Sequence, residues 1–169
     1  LIRSLALPQP ASRTGIYEFI DQTGQAIEFN RELLQVTLDH IDEAVSVVDR
    51  DLRLIAWNRQ YIDFFNYEAG FIRVGKPVKE VIRRNIERGF GPVIEGDIEL
   101  QVEKRLKLLR DANKYSFIRD WQNGRTVQIA GAHMPDGGYI TTYTDITPLK
   151  QAEKHLAAIN ETLEAKVLE

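Results

Sequence analysis

The sequence predicts an α+β fold: a five-stranded antiparallel sheet with helices on one face, an N-terminal flanking helix and a C-terminal coiled-coil linker helix. Three observations carry that prediction. Two short strand-type runs, 44–48 and 52–57, give way to a long stretch of helical periodicity. Three further strand-type runs then follow one another at 115–122, 125–134 and 138–146, split by Asn123-Gly124 and by Pro135-Asp136-Gly137-Gly138. Beyond residue 148 the apolar period lengthens to seven, with Leu149, Leu156 and Leu163 in register.

Composition sets the outer limits. A chain of 169 residues that is 43% hydrophobic suits one core with appendages. Its 22 basic and 25 acidic residues give a net charge of −3, without the cationic excess that nucleic acid or an anionic membrane surface would attract. The absence of cysteine excludes disulfides, thiolate zinc sites, cysteine nucleophiles and cysteinyl-flavin photochemistry, and points to a cytoplasmic setting. No segment is long and apolar enough to cross a bilayer, so any spans of a membrane-anchored parent would lie outside this chain.

The elements follow in order. Residues 1–15, with Pro8, Pro10, Ser12 and Gly15, read as a linker that meets the domain in mid-sequence. Runs at 16–20 and 26–29 flank Asp21-Gln22-Thr23-Gly24, which predicts a hairpin with glycine where a turn needs positive φ. Asn30 is placed to cap a helix over 31–42, whose Leu34, Leu38 and Ile41 form one apolar stripe. The strands 44–48 and 52–57 are joined by Asp49-Arg50-Asp51 as a tight hairpin, and Asn58 caps a helix over 59–66.

Pro77 in a first turn, Val78, Val81, Ile82 and Ile86 on one face, and Gly89 beyond the end mark the next helix. Asp97 caps a longer helix reaching about residue 112, with Ile98, Val102, Leu106 and Leu109 as its buried stripe and Glu99, Glu103, Lys104, Lys107 and Arg110 solvated. In the last segment Ala152 and Ile159 fill the intervening heptad positions. This seam covers about three heptads, too short to be stable alone, and implies continuation into a downstream domain. Leu168-Glu169 reads as a tag remnant. The domains are thus 1–30, linker and hairpin; 31–148, the sheet domain with its flanking helix; and 149–169, the start of the coiled coil.

Two local motifs give the pattern a family likeness. Residues 49–58, Asp-Arg-Asp-Leu-Arg-Leu-Ile-Ala-Trp-Asn, and residues 134–147, ending in Asp145-Ile146-Thr147, resemble the first hairpin and the final Asp-Ile-Thr exit of PAS modules. The likeness spans about residues 31–150 and is nearest to cytoplasmic PAS domains immediately upstream of transmitter regions in bacterial sensor histidine kinases, hybrid kinases included. The resemblance implies a regulatory module, not an enzyme in itself, that dimerises through its N-terminal helix and exit coiled coil and signals to a kinase domain. Similar modules also control cyclic-di-nucleotide synthases and phosphodiesterases, and some serve only as ligand-free protein-interaction scaffolds. Physically, Asp145 can accept a hydrogen bond from the Thr147 backbone or hydroxyl, with Thr147 as N-cap and Pro148 as N1 of the exit helix. Asp145, Thr147, Leu149, Leu156 and Leu163 are therefore the expected signal-transmission residues.

No cofactor is predicted for the interior, although a non-covalent flavin beside Trp57, Trp121 and Tyr143, or a small organic ligand, would suit a PAS cavity. The ligand-binding candidates are Arg119, His133, Tyr143 and Trp57, with Arg119 able to meet a carboxylate bidentately. No catalytic or metal site is expected. His155 lacks the acidic residue and proline-bearing turn of a phosphoacceptor, and residues 92–114 offer no histidine to haem. His40, His133 and His155 form no local ligand pair. An enzymatic reading would require His133 to meet a carboxylate such as Asp136 in a cleft. Arg83, Arg84 and Arg88 form either an anion-binding cluster or a solvated helix face.

Overall fold

The computed structural model describes residues 13–92 and 96–167, in two compact units, Leu1–His40 and Ile41–Glu169. The first contains one helix, α1 (Arg13–Asp39), of 27 residues. The hairpin expected at 16–29 is therefore absent, and Asn30 lies inside the helix instead of capping it. Local turn chemistry loses to length here. A mid-helix glycine costs about 1 kcal/mol, which many propagated backbone bonds offset. Asp21 also accepts a bond from Gln25 one turn on, at 2.9 Å. Ile20, Ile27 and Leu34 recur every seven residues, a helical signal hidden by reading the segment as two short runs. Ile27, Phe29, Leu33, Leu34 and Val36 are exposed on α1. The helix ends before Ile41, the last residue of the expected stripe. Residues 1–12 of the expected linker, and Leu168-Glu169, lie outside the described residues.

The second unit holds β1 (Ala44–Val48), β2 (Leu54–Trp57), α2 (Arg59–Phe65), α3 (Val78–Glu87), α4 (Ile98–Asp111), β3 (Lys114–Asp120), β4 (Thr126–His133), β5 (Tyr139–Asp145) and α5 (Thr147–Val167). The sheet is antiparallel in the order β2-β1-β5-β4-β3, so the first and last strands of the fold pair at its centre. Every residue of β1 is buried, as a central strand demands. The first hairpin is longer than its sequence suggests. Asp49 Oδ1 accepts from the backbone N–H of both Asp51 and Arg53 at 2.9 Å, Leu52 adopts φ +57°, and pairing resumes only at Leu54 with a bulge at Val47/Val48.

Asn58, fully buried, joins sheet to helix. Its Oδ1 accepts from Val45 N at 2.9 Å and from Tyr61 N at 3.0 Å, while Nδ2 donates to Glu43 O at 2.7 Å. Pro77 occupies the N-cap of α3 and not its first helical position. On α4, Val102, Leu106 and Leu109 are buried as expected, whereas Ile98 at the first turn is exposed. Lys79 and Arg83 on α3 pair with Glu103 and Glu99 on α4 at 2.7 and 2.6 Å, Arg84 reaches Glu68, and Arg88 donates to the Phe65 and Asn66 carbonyls that end α2. The arginine cluster thus fastens one helix to its neighbours. No helix among the described residues is long and apolar enough to cross a membrane.

Candidate functional site

Residues directly opposite in an antiparallel ladder share a face. The rows Phe117–Ile129–Tyr143 and Tyr115–Gly131–Thr141 therefore lie on one side of the sheet, with Arg119, opposite Val127, beside them. Between this face and α3 and α4 lies a cavity of about 390 Å³, within the range of small-molecule sites. Aromatic rings cluster on its wall: Phe65 packs against Tyr143, Phe90 and Trp121 with centroids 5.0, 5.5 and 5.8 Å apart. Gly131 makes room at the sheet, since a Cβ there would sit 2.7 Å from the Tyr139 ring and 2.8 Å from the Tyr115 ring.

The polar wall consists of Asn85, Lys104, Arg105 and Arg119 beside the Tyr115 and Tyr143 phenols, and no carboxylate lines the cavity among the described residues. Arg105 is the unexpected member. It is half-buried, and desolvation lowers its guanidinium pKa, opposed by the nearby Tyr143 and Tyr115. No described carboxylate pairs with it. Its Nη2 rests on Gly91, where an added Cβ would come within 2.6 Å. Beside it runs a chain of buried hydroxyls. Tyr67 OH donates to Asn85 Oδ1 at 2.8 Å and lies 3.4 Å from Tyr61 OH, and Ser46 serves both Tyr61 and Tyr143. Burial, reinforced by neighbouring phenols, pushes the Tyr61 and Tyr143 pKa values well up.

Of the predicted ligand residues, Arg119 and Tyr143 line the cavity. Arg119 is exposed there, its guanidinium 4.9 Å over the Phe117 ring and Nη1 donating to Ile118 O. His133 is not on the cavity wall; its ring meets Tyr139 edge-on at 4.7 Å. Asp136, its suggested acid/base partner, accepts from Gly138 N and shapes the turn. Trp57 packs against the core without reaching the cavity. His155 is exposed on α5, and His40 bonds Val36 O in its own unit. Sequence reading missed Arg105, yet the signal was present: Val102, Arg105, Leu106 and Leu109 follow i, i+3, i+4, i+7 spacing, which puts a cation on the core stripe.

At the far end of β5 the chain turns a corner. Asp145 Oδ1 accepts from Thr147 N at 2.9 Å and Oδ2 lies 3.5 Å from Arg125 Nε. Arg125 in turn donates to Phe64 O at the end of α2. Thr147 does not act as the N-cap. The first intrahelical bond runs from Lys150 N to Ile146 O, and the Thr147 hydroxyl instead accepts from Thr126 N at 2.8 Å. Ile146 N donates to Thr126 O, so the backbone of β4 holds the corner on both sides. Beyond it Leu149, Leu156, Ile159 and Leu163 are exposed on α5, the first 56% and the last 55% accessible.

A family model described as the PAS fold matches residues 38–154. The PAS domain of BvgS from Bordetella pertussis is 20% identical with a TM-score of 0.54, over 79% of this chain and 98% of that one. The PAS domain of an HTR-like protein from Haloarcula marismortui is 14% identical with a TM-score of 0.46, over 75% and 99%. A domain of a sensory box sensor histidine kinase/response regulator from Geobacter sulfurreducens is 15% identical with a TM-score of 0.45, over 70% and 96%. No curated protein matches the chain. The family match covers well over half of the sequence, and the β2-β1-β5-β4-β3 sheet with its helix-covered cavity agrees with it: the chain belongs to the PAS family.

Proposed function

We propose that this PAS domain is the cytoplasmic sensory and dimerisation module of a two-component sensor histidine kinase, with the cavity as input and α5 as output. One observation carries the reading: β5 places Tyr143 in the cavity wall and, two residues on, Asp145 at the corner that aims α5. A ligand that moves Tyr143 acts on the strand that fixes the helix, and a coiled coil converts such a shift into rotation or register change. The catalytic region belongs to the downstream kinase, since a PAS domain alone is non-catalytic.

Dimerisation supplies the partner for the exposed seam. Leu149, Leu156, Ile159 and Leu163 fall at heptad positions and leave large apolar surface in water, which a second copy would bury. The exposed apolar residues of α1 make it the second dimer contact. The test fuses the chain in continuous heptad register to a histidine-kinase transmitter and follows autophosphorylation. Asp145→Ala should change the basal rate or the response to signal several-fold, while leaving both intact would defeat the reading. Light scattering should give a dimer for the fusion and for the chain, and a strict monomer at high concentration would contradict it.

A further inference from the structure

The structure assigns a ligand class to the cavity: we propose that it binds a small aromatic monocarboxylate, the acid group held by Arg105 and the ring packed among Phe65, Phe117 and Tyr143. The inference rests on the reading of this cavity as the sensory input and supplies its chemistry.

Charge comes first. An arginine side chain stays protonated, so a half-buried guanidinium without an acidic partner is a standing electrostatic cost. Among the described residues Arg105 has neither a carboxylate nor a carbonyl within bonding distance, and desolvation already works against its charge. Asn85 adds a second donor: Tyr67 occupies its Oδ1, and its Nδ2 has no bonding partner among the described residues. Among the described residues the side chains of the wall therefore offer donors and, apart from phenol oxygens and the occupied Asn85 Oδ1, no acceptor. The complementary ligand group is an acceptor with negative charge, and a planar carboxylate matches the guanidinium fork.

Shape and polarity narrow the class. Six of the fifteen wall residues are aromatic, which suits a flat ring stacked or met edge-on. A volume of about 390 Å³ leaves room for a ligand of about ten to fifteen non-hydrogen atoms at ordinary packing density. Of the three cations on the wall only Arg105 is withdrawn from solvent, because Lys104 and Arg119 are exposed. A dianion's second charge would meet only these exposed cations, whose attraction water screens, so the acid is a monoacid.

The experiment is isothermal titration calorimetry of the chain with benzoate and indole-3-acetate, each paired with its neutral amide, benzamide and indole-3-acetamide. Each acid should bind at least about tenfold tighter than its amide. Arg105→Gln should erase that preference, and Arg110→Gln, on the outer side of α4, should retain it. Equal affinity for acid and amide in the unaltered protein overturns the proposal, as does an Arg105→Gln variant that keeps the preference. So does failure of both acids to bind at millimolar concentration. The acid–amide comparison needs no variant, so it stands even if Arg105→Gln folds poorly. The relay is read separately: a fused kinase that responds to Asp145→Ala while the chain ignores both acids sinks this inference alone, and binding without effect on the fused kinase sinks the relay alone.

Discussion

Truncating the corner carboxylate, Asp145→Ala, should weaken the fold by an amount that the structure sets. The variant loses the acceptor for Thr147 N, a bond of 2.9 Å at the first turn of α5. Caps of this kind contribute about 0.5–2 kcal/mol. It also loses a loose pair with Arg125, 3.5 Å apart with side chains 39% and 34% accessible, which solvent screens to about 0.2–1 kcal/mol. Arg125 keeps its bond to Phe64 O, so no buried cation is stranded. The sum is about 0.7–3 kcal/mol, or about 1.4–12 °C in melting temperature for a chain of this size. Asp145→Asn keeps an acceptor and should lose less than about 1 kcal/mol. Differential scanning calorimetry measures both, and amide exchange at Thr147 should quicken in the alanine variant. The reasoning fails if alanine melts within about 1 °C of the unaltered protein, or if asparagine and alanine are equally destabilising.

Three other perturbations follow from the same contacts. Asn58→Ala removes the α2 cap and leaves Val45 N–H unpaired in the interior, so urea unfolding should show a loss of about 3 kcal/mol, and a loss under about 1 would be inconsistent. Gly131→Ala drives a methyl into the Tyr115 and Tyr139 rings and should cost about 1–3 kcal/mol, whereas an unchanged melting point would show that the rings move freely. In alkali the raised Tyr61 and Tyr143 pKa values make the unfolded chain, with phenols near pH 10, release protons first. Stability is therefore full below about pH 10 and falls as pH rises, by up to about 1.4 kcal/mol per pH unit for each phenol. Urea midpoints measured from about pH 9 to about pH 11 should decline, less steeply in Tyr143→Phe, and a flat profile would count against the buried phenols.

The β-strands, α2 to α4 and the exit helix were legible because their signals are local. Asn58 and Asp97 cap where short polar side chains should, and the Asn-Gly and Asp-Gly pairs turn the last hairpins. The segment 16–29 was misread because Asp21 to Gly24 carries turn chemistry that a long helix overrides. The cavity was only half legible. Period-two alternation puts Arg119, His133 and Tyr143 on one face, but reach along the strand decides contact, and His133 sits at the opposite end beside Tyr139. Arg105 was overlooked because its charge suggested solvent, although its spacing placed it inward. Thr147 shows the same limit at the corner: its hydroxyl is spent on Thr126, a partner distant in sequence that no local pattern announces.

The central claim is that cavity and exit helix are coupled through β5, and a double-mutant cycle in the fused kinase tests it without a ligand. Ile129→Trp fills the cavity beside Tyr143, and Asp145→Ala loosens the corner. Autophosphorylation is measured for each variant and for the pair, with circular dichroism confirming that all are folded. Coupling predicts that filling the cavity shifts the rate and that the shift shrinks when the corner is loosened, a non-additivity above about 0.5 kcal/mol. Additive effects within that margin would show that the cavity and the helix act independently and would contradict the account.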